Sequence, residues 1–479
     1  MKISVHLKGS KEIIKKTLGG GLGTELYNKG FSRANGYSFF HGEEDVQNIA
    51  KRMAELLYYR KRSQTLFHDG SFMTDNLNNK ESYRNVLCFF PFSSTSQSNV
   101  IVHGRIFDEE KSFKELLKMC KKPMDEPLEK EIPMDIDGDF SLVFFEDDHL
   151  VVIRSPASSK PVFLSTSDRI FALSSDPYPL NVLGLRYDYI PAGSILHVEF
   201  KNKVRTSVRR YFSFSPSDRV SENIERVTEN VHSSLQYSVE KNLEGKNRVG
   251  VAFSGGLDSA ILAKLIEEIG VKTSLLTVYA EHSHDSSYAK EVADLFGLEH
   301  IAIEVDESVK GRLAMFKELL STENLMDLSI ALILNLVAEK AASCGIEDVV
   351  VGQGADELFG GYQKYLNILT GRGGMSVEQV LKEDFDALMS YGVSRDETSI
   401  AMFANPLMPF INKKVAESAF SLPTKYKIDS DSGTRKVVLR QLAKKLGLSE
   451  KVYSHSKKAM QYSSGVQRLL LRIAKKRNT

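Results

Sequence analysis

Apolar and polar positions alternate in two different ways along this chain. From about residue 227 to the end, short apolar runs of strand length alternate with longer segments of helical periodicity. The runs 249–253 and 346–351 predict buried parallel strands, and 260–266 and 332–338 predict helices with little polar surface. This alternation favours a doubly wound α/β core with a parallel sheet and a helical C-terminal extension.

The first part of the chain has a shorter, strand-rich pattern. Two hairpins and one further strand are predicted there, over 140–145 with 150–153, over 162–164 with 170–174, and over 195–200. Residues 209–222 are polar and contain Ser and Pro, which is typical of a connector. We therefore predict an N-terminal domain over 1–208, a connector over 209–222 and an α/β domain over 223–479.

Composition narrows the class of protein. The chain has 479 residues, a formal net charge of +1 and 42% hydrophobic residues, which is ordinary for a globular protein of more than one domain. This charge gives no support to a general nucleic-acid or membrane-surface role, and no apolar run is long enough to span a bilayer. Residues 1–7 hold too few apolar positions for a signal peptide, and the three cysteines are widely spaced. We expect a cytoplasmic protein with reduced cysteines and no membrane partner.

A short motif after the first strand of the α/β domain carries the clearest chemical signal. Its residues are Ser254, Gly255, Gly256, Leu257, Asp258 and Ser259, between the strand 249–253 and the helix 260–266. Glycines let a backbone approach a phosphate closely, and the N–H groups that begin a helix point toward an anion. A carboxylate at Asp258 suits such a site if a divalent cation lies between it and the phosphate.

This motif lacks the Gly-Lys-Ser/Thr ending of a Walker loop. It resembles the SGGxDS pyrophosphate loop of the ATP pyrophosphatase superfamily. The resemblance implies that ATP is cleaved between its α and β phosphates, that a substrate oxygen is adenylated and that pyrophosphate leaves. It assigns the phosphates to the loop residues and a magnesium ion to Asp258.

A second motif follows the strand predicted over 346–351. Residues 352–362 have the sequence Gly-Gln-Gly-Ala-Asp-Glu-Leu-Phe-Gly-Gly-Tyr. They resemble the signature of the asparagine synthetase family, which also contains the β-lactam and carbapenam synthetases. Asp356 supplies a second carboxylate at a strand end, and two carboxylates with pyrophosphate oxygens would form an oxygen-only magnesium site. The same resemblance assigns Gly352 and Gly354 to nucleotide binding.

Three segments of the first domain resemble the class II glutamine amidotransferase (glutaminase) domain of the same family. Residues 137–145 are similar to its L-D-G-M-F-A-F-A-L-Y segment, 102–107 to its N-G-E-I-Y-N segment, and 154–163 to its A-R-D-x-x-G-x-K-P-L-Y segment. The resemblance implies a four-layer αββα domain of the N-terminal-nucleophile (Ntn) hydrolase type, followed by a doubly wound, parallel-sheet ATP pyrophosphatase domain.

The residues that glutaminase chemistry needs are missing. That chemistry uses a cysteine exposed as the first residue, whose own terminal amine serves as base, but position 2 holds Lys2. At the matched amide-binding positions, the family's Asn is His103 and its Glu is Arg105. We therefore expect a glutaminase-like domain without glutaminase activity. The alternative is that processing exposes Ser4, Ser10 or another nucleophile.

Two further residues are assigned by the same resemblance. Val278, near the end of the strand that contains 276–279, is expected to contact adenine through its backbone. Asp285 matches the start of the family's D-x-x-x-A-x-x-V-A helix, where it is either a substrate residue or a helix N-cap.

Cations are expected near the pyrophosphate. Lys436 and Arg440 match the family's K-x-x-L-R element, in which a cation would neutralise departing pyrophosphate; the alternative is a solvated helix face. Lys457 matches a lysine of the family's R-x-K element, which would stabilise the transition state. The family's Arg is His455 here, and Lys458 is close enough to leave that assignment open.

Gln353, which we place in the catalytic site, departs from the family pattern. Asparagine synthetases carry Glu at this position and β-lactam synthetases carry Tyr, and their ionised side chains accept a proton, whereas Gln only forms hydrogen bonds. The nucleophile is therefore deprotonated elsewhere or needs no base there. Residues 405–408 also replace the family's E-V-R-V, which removes two charges. Both changes weaken the prediction that aspartate is converted to asparagine. They do not affect the prediction that ATP activates a carboxylate.

The residues together predict an ATP- and magnesium-dependent ligase that resembles asparagine synthetase. A small carboxylate is activated as an acyl-adenylate, and ammonia or an amine then forms the amide. Two alternatives stay open: a nucleotide-binding pseudoenzyme scaffold and an AMP-forming tRNA-modifying enzyme. Against the latter stand the lack of a paired-cysteine motif and of a basic arm. A nucleic-acid partner is not expected, and a homodimer is one of the assemblies that the sequence leaves open.

Overall fold

A computed structural model of the chain describes residues 85–89, 100–107, parts of 115–120, 136–146, 149–166, 170–182, 184–200, 204–215, 223–280, 285–372, 376–454 and 464–475. Within these ranges, no helix is both long enough and apolar enough to cross a membrane. The predicted cation Lys457 lies outside them, as do His455 and Lys458. Lys2, Ser4 and Ser10 also lie outside the described residues.

The N-terminal half is built from strands. These are β1 (Asn85–Phe89), β2 (Val100–Phe107), β3 (Asp137–Glu146), β4 (His149–Arg154), β5 (Phe163–Thr166), β6 (Ile170–Ser174), β7 (Asp188–Tyr189), β8 (Ser194–Phe200) and β9 (Val204–Arg210), with the short helix α1 (Pro177–Val182) after β6. Both predicted hairpins are confirmed, because β3 pairs antiparallel with β4 and β5 pairs antiparallel with β6.

These strands form two sheets that pack against each other. One sheet has the order β1-β6-β5-β7, and the other is antiparallel with the order β2-β3-β4-β8-β9. Alternate residues of β3, β4 and β8, including Val143, Val152 and Leu196, share one apolar cluster with Phe171 and Leu173 of β6. The described residues therefore contain two stacked β layers, and the outer helical layers of an αββα domain stay a prediction.

The C-terminal half alternates helices and strands. Its elements are α2 (Ile224–Leu243), β10 (Arg248–Ala252), α3 (Leu257–Ile269), β11 (Lys272–Ala280), α4 (Asp285–Phe296), β12 (Glu299–Val305), α5 (Lys310–Leu319), α6 (Leu325–Ser343), β13 (Asp348–Val350), α7 (Ala355–Phe359), α8 (Gln363–Asn367), α9 (Val377–Ala387), α10 (Val393–Ala401), β14 (Asn405–Leu407), α11 (Lys413–Phe420), β15 (Ile428–Asp429), β16 (Thr434–Arg435), α12 (Val437–Lys445), α13 (Glu450–Ser454) and α14 (Val466–Lys475).

Five of these strands form a parallel sheet with the order β12-β11-β10-β13-β14. The first strand of the domain, β10, lies in the centre, and the later strands are added on one side and then on the other. The predicted α/β core with a parallel sheet is therefore confirmed. In such a sheet, the strand order reverses between β10 and β13, and ligands bind in the crevice at the carboxyl ends of the two strands.

Close packing holds β10 in this central position. Val249 and Val251 are completely buried, and a Cβ at Gly250 would lie 2.7 Å from Leu276 Cδ1 of β11. The predicted apolar helix over 332–338 lies within α6 and is buried throughout that stretch. Its one polar residue there, Asn335, donates a hydrogen bond to the Ser399 carbonyl at 3.0 Å.

The two halves are in contact through apolar side chains as well as polar ones. Ala157, Ala192 and Phe214 of the N-terminal half belong to the same buried cluster as the core of the parallel sheet. Phe214 stacks on Phe420 of α11 with ring centroids 5.4 Å apart. The domain boundaries at 208 and 223 stay a prediction; β9 ends at Arg210 and α2 begins at Ile224.

Candidate functional site

The first motif joins β10 to α3 at the carboxyl edge of the parallel sheet. Ser254, Gly255 and Gly256 form the turn, and Leu257, Asp258 and Ser259 begin the helix. Gly255 has a φ of +72°, and a Cβ there would lie 3.0 Å from Ala289 Cα, so this position requires glycine. Gly256 is the N-cap of α3, and no side chain caps the helix there. A helix N-terminus after a glycine turn is a typical anion-binding arrangement.

The second motif joins β13 to α7 beside the first. Gly352, Gln353 and Gly354 form the turn, in which Gly354 has a φ of +96° and Gln353 is half-buried. Because β10 and β13 are paired, the two turns meet at the same edge of the sheet. A Cβ at Gly352 would lie 3.2 Å from Asp258 Cβ, which shows how closely the motifs approach.

Lys436 joins the carboxylates of the two motifs. Its Nζ donates to both oxygens of Asp258, at 2.6 and 2.7 Å. The same Nζ lies 2.7 Å from Asp356 Oδ1, an ion pair without hydrogen-bond alignment. The Lys436 side chain is 3% exposed, whereas those of Asp258 and Asp356 are 16% and 18% exposed. A single buried cation thus offsets part of the negative charge of two partly exposed carboxylates.

The backbone around Lys436 is unusual. Lys436 precedes α12 with a φ of +57°, a left-handed conformation that residues other than glycine seldom adopt. The neighbouring Arg435 donates to the Gly361 carbonyl at 2.7 Å and so joins this segment to the second motif. A Cβ at Gly361 would lie 1.7 Å from Asp356 Oδ1 and 2.4 Å from Lys436 Cε. Gly361 therefore provides the space for the contact between the lysine and the carboxylate.

The solvated-face alternative for Lys436 and Arg440 is wrong for Lys436, which is buried. Arg440 lies one turn further along α12, is half-buried, and donates to the Arg435 carbonyl at 2.8 Å. Burial and the charge of Arg435 lower the pKa of Arg440, whereas Asp258 raises it. Arg440 is therefore within electrostatic reach of the first motif.

The roles assigned to Val278 and Asp285 stay predictions. Val278 is a buried residue of β11, whose pairing with β10 extends to Leu276. Val278 thus lies beyond the end of β10, toward the crevice, where its backbone is expected to contact adenine. Asp285 begins α4, so both the N-cap and the substrate alternatives stay open.

One pair within the second motif was not predicted. Tyr362 donates its phenolic hydrogen to Glu357 Oε1 at 2.6 Å, and Glu357 is 6% exposed. Burial and the Glu357 carboxylate raise the pKa of Tyr362 far above its usual value, so the phenol stays protonated. The signal in the sequence was the presence of both residues within 352–362, but their spacing alone does not specify the bond.

The fold and the site together define a class of protein. It is an α/β protein with a glycine-rich turn before an uncapped helix and a lysine-bridged pair of carboxylates, where the strand order of its parallel sheet reverses. The Asparagine synthase family model matches residues 230–376 and 371–477, which is more than half of the chain, and the chain belongs to this family. Membership supports an ATP-dependent ligase that forms carbon–nitrogen bonds.

Individual relatives agree with this assignment. A Methanocaldococcus jannaschii protein, named as a candidate asparagine synthetase (glutamine-hydrolyzing) 1, is 26% identical over 396 residues, covering 73% of this chain and 73% of the relative. Asparagine synthetase (glutamine-hydrolyzing) 1 of Lotus japonicus is 25% identical over 437 residues, covering 85% of this chain and 68% of the relative.

Among solved structures, the similarity is weaker. The NMN synthetase of Francisella tularensis matches with a TM-score of 0.30 and 16% identity, over 50% of this chain and 78% of that one. The NH3-dependent NAD synthetase of Campylobacter jejuni matches with a TM-score of 0.27 and 16% identity, over 53% of this chain and 86% of that one. Both TM-scores are too low to support a conclusion.

Replacing Gly361 tests the packing of the carboxylate site. The Cβ of Gly361→Ala would collide with Asp356 and Lys436, so we expect ATP to bind at least about tenfold more weakly, which corresponds to about 1.4 kcal/mol. Isothermal titration of ATP measures this. Gly311→Ala, in α5 with nothing within 4 Å of the added Cβ, is the matched control. Equal ATP affinity in both variants would contradict the tight packing.

Removing the ammonium of Lys436 tests the predicted magnesium site. Without it, Asp258 and Asp356 would attract a divalent cation without competition. We therefore expect Lys436→Met to bind Mg²⁺ at least about tenfold more tightly in the absence of nucleotide. Titration calorimetry with Mg²⁺ measures this, and Lys340→Met, at an exposed lysine of α6, is the control. Unchanged or weaker Mg²⁺ binding would show that the two carboxylates do not form a cation site.

Proposed function

We propose that this protein is an ATP-dependent amide ligase that forms AMP and pyrophosphate. It activates a carboxylate as an acyl-adenylate, and ammonia or an amine attacks that intermediate. The curated relatives are named asparagine synthetases, so aspartate is the first carboxylate to test.

The observation that carries this proposal is the joining of the two motifs by Lys436. Asp258 begins α3 after one strand, and Asp356 lies in α7 after the neighbouring strand. Their carboxylates share one ammonium at 2.6–2.7 Å, at the edge of the sheet where a nucleotide would bind. An ammonium beside the turn that would bind phosphate can stabilise the negative charge of departing pyrophosphate.

The residues at the crevice have separate tasks in this reaction. The turn that contains Ser254, Gly255 and Gly256 would bind the β and γ phosphates of ATP. A carboxylate oxygen of the substrate attacks the α phosphorus, and the bond from this phosphorus to the bridging oxygen breaks as pyrophosphate leaves. Lys436 and Lys457 would neutralise the charge that develops on pyrophosphate. The amine then attacks the acyl carbon, AMP leaves and the nitrogen loses a proton.

The carboxylates of Asp258 and Asp356 would suit a magnesium ion once Lys436 Nζ, which lies 2.6–2.7 Å from both, moves aside. The donors are carboxylate oxygens alone, which suit Mg²⁺, and the ion commonly uses one or two carboxylates together with substrate phosphates. Asp258 and Asp356 would hold it. It would supply charge neutralisation at the phosphates.

The N-terminal half is proposed to be an Ntn-type αββα domain without glutaminase activity. Its two stacked sheets support this fold. The matched amide-binding positions hold His103 and Arg105, and the guanidinium of Arg105 offers hydrogen-bond donors only. Nitrogen would therefore enter as free ammonia or as an amine.

Pyrophosphate release is the direct assay for this function. With ATP, Mg²⁺, aspartate and ammonium, we expect purified protein to release pyrophosphate and AMP in equal amounts. Asp258→Asn removes one charge from the site and is expected to reduce the rate by about 100-fold or more. Glu304→Gln, at an exposed position of β12, is the control. Release of ADP and phosphate instead would refute the proposed chemistry.

The nitrogen source tests the proposed loss of glutaminase activity. Ammonium should support amide formation, and glutamine should not. Asparagine made from glutamine would overturn this part of the proposal. Pyrophosphate release that requires a carboxylate other than aspartate would keep the ligase and change its substrate.

Gln353 leads to a prediction about pH. If no side chain at this position accepts a proton, the rate at limiting ammonium should follow the fraction of unprotonated ammonia. That fraction rises roughly tenfold per pH unit below the pKa of ammonium. Gln353→Glu should weaken this dependence, because a carboxylate can bind ammonium and accept its proton. The kcat/KM for ammonium at several pH values measures both, and parallel profiles would assign the proton acceptor to another residue.

A further inference from the structure

Two side chains of β2 depart from the family's amide-binding pattern, and both contact the C-terminal half. His103 Nε2 donates to Glu397 Oε1 of α10 at 2.8 Å. Arg105 Nη1 donates to the carbonyl of Lys241 at 3.0 Å, and Arg105 Nη2 pairs with Glu244 Oε2 at 2.9 Å. The two positions at which the resemblance predicts amide binding thus form bonds between the halves of the chain.

Glu397 is the centre of the buried part of this interface. Its side chain is completely buried, and Lys160 Nζ lies 3.2 Å from the same Oε1 that accepts from His103. A buried carboxylate is unfavourable unless cations or hydrogen-bond donors surround it. Both groups come from the N-terminal half, so the environment that Glu397 requires is provided largely by the other domain.

Hydrogen bonds within the N-terminal half lie beside this interface. Asp139 of β3 accepts hydrogen bonds from the backbone N–H and the hydroxyl of Ser159. Burial raises the pKa of Asp139, whereas Lys160 and Ser159 lower it. Ser159, which these bonds hold to β3, directly precedes Lys160 in the chain. We name His103, Arg105 and Lys160 the docking face.

Two more bonds hold the region of α10 to the N-terminal half. Arg154, which is completely buried, donates to the Met389 carbonyl just before α10, at 3.1 Å. Burial lowers the pKa of Arg154 to about 10, so it stays charged at neutral pH. Thr398 donates to Asp176 Oδ2 at 2.7 Å. The N-terminal half is thus bonded to α10 at Glu397 and Thr398, and to the segment before α10 at Met389.

Arg395 of α10 and the strand that follows α10 connect this helix with the candidate site. Arg395 donates to Asp327, at the start of α6, at 2.6 Å. The charge of Arg395 also lowers the pKa of Tyr362 in the second motif, against the larger effects of burial and of the Glu357 charge, which raise that pKa. After α10 the chain forms β14, which pairs with β13. The residues that follow β14 pack on Gly354 of the second motif, where a Cβ would lie 3.2 Å from Ile411 Cγ1.

The contact of Arg105 involves a different helix. Lys241 and Glu244 lie at the carboxyl end of α2, where the helix carbonyls carry partial negative charge and favour a cation. Arg105 is 38% exposed, so this part of the docking face is open to solvent. A substitution there disturbs the interface without leaving a buried charge unpaired.

We propose that the N-terminal half acts as a permanent docking partner that positions α10, and through it the second motif. The surface that would bind an amide in a glutaminase is used here to bind the synthetase half. His103 and Lys160 are positioning residues, because they act on the site through Glu397. This role does not depend on the proposed ligase activity, and it gives a domain without glutaminase activity a function of its own.

Hydrogen–deuterium exchange of the full chain tests this role. His103→Ala should raise exchange in α10 and in 352–359 by at least about tenfold, while α5 stays unchanged. Glu397→Gln should raise exchange less than His103→Ala does. The double variant should exchange more slowly than His103→Ala alone, because the carboxylate of Glu397 that lost its partner is removed. Strictly additive effects, or faster exchange confined to β2, would overturn the proposal.

A charge reversal at Arg105 is a second test, which does not involve the buried groups around Glu397. Arg105→Glu places a carboxylate beside Glu244 and the carboxyl end of α2, so we expect the thermal transitions of the two halves to separate in calorimetry. Arg205→Glu, at an exposed position of β9 in the same half, is the matched control. Identical single transitions in both variants would show that Arg105 does not dock the halves.

Discussion

The candidate site depends on the pairing of β10 with β13. These strands are neighbours in the sheet although β11 and β12 lie between them in the chain, and Gly250 and Val251 pair with Val349 and Val350. Parallel neighbours end at the same edge, so each strand delivers its turn and its carboxylate to one place. The remaining strands are added outward on both sides, which leaves a crevice above this pair.

Once the two turns meet, electrostatics determines what else must be present. Two carboxylates that both contact one ammonium repel each other, and the cation between them reduces the repulsion. Lys436 supplies the cation from a left-handed backbone position that costs about 1–2 kcal/mol. Strain of this kind persists where the surrounding structure over-determines it, and it is concentrated at functional positions. Here Arg435, Gly361 and Asp356 surround the strained residue and fix it.

Local patterns were sufficient to predict part of this arrangement. The turn at Gly255 follows from glycine between an apolar strand and a helix and was predicted, whereas for Gly354 the sequence predicted only a motif that follows an apolar strand. The Lys436–Asp258 bond joins residues separated by 178 positions, and the His103–Glu397 bond joins residues separated by 294. No periodicity encodes such pairs, because they arise only when packed elements bring their side chains together. The burial of Lys436, which rules out a solvated helix face, is likewise a tertiary property.

The central claim is that a substrate carboxylate becomes adenylated at this crevice. The most direct test supplies aspartate with ¹⁸O in its side-chain carboxylate, together with ATP, Mg²⁺ and ammonium, and follows the label by ³¹P NMR. The account predicts that one ¹⁸O per turnover appears in the phosphate of AMP, because the bond from the carboxylate oxygen to phosphorus survives when the amide forms. Amide formation with unlabelled AMP, or with ADP and labelled phosphate, would contradict it.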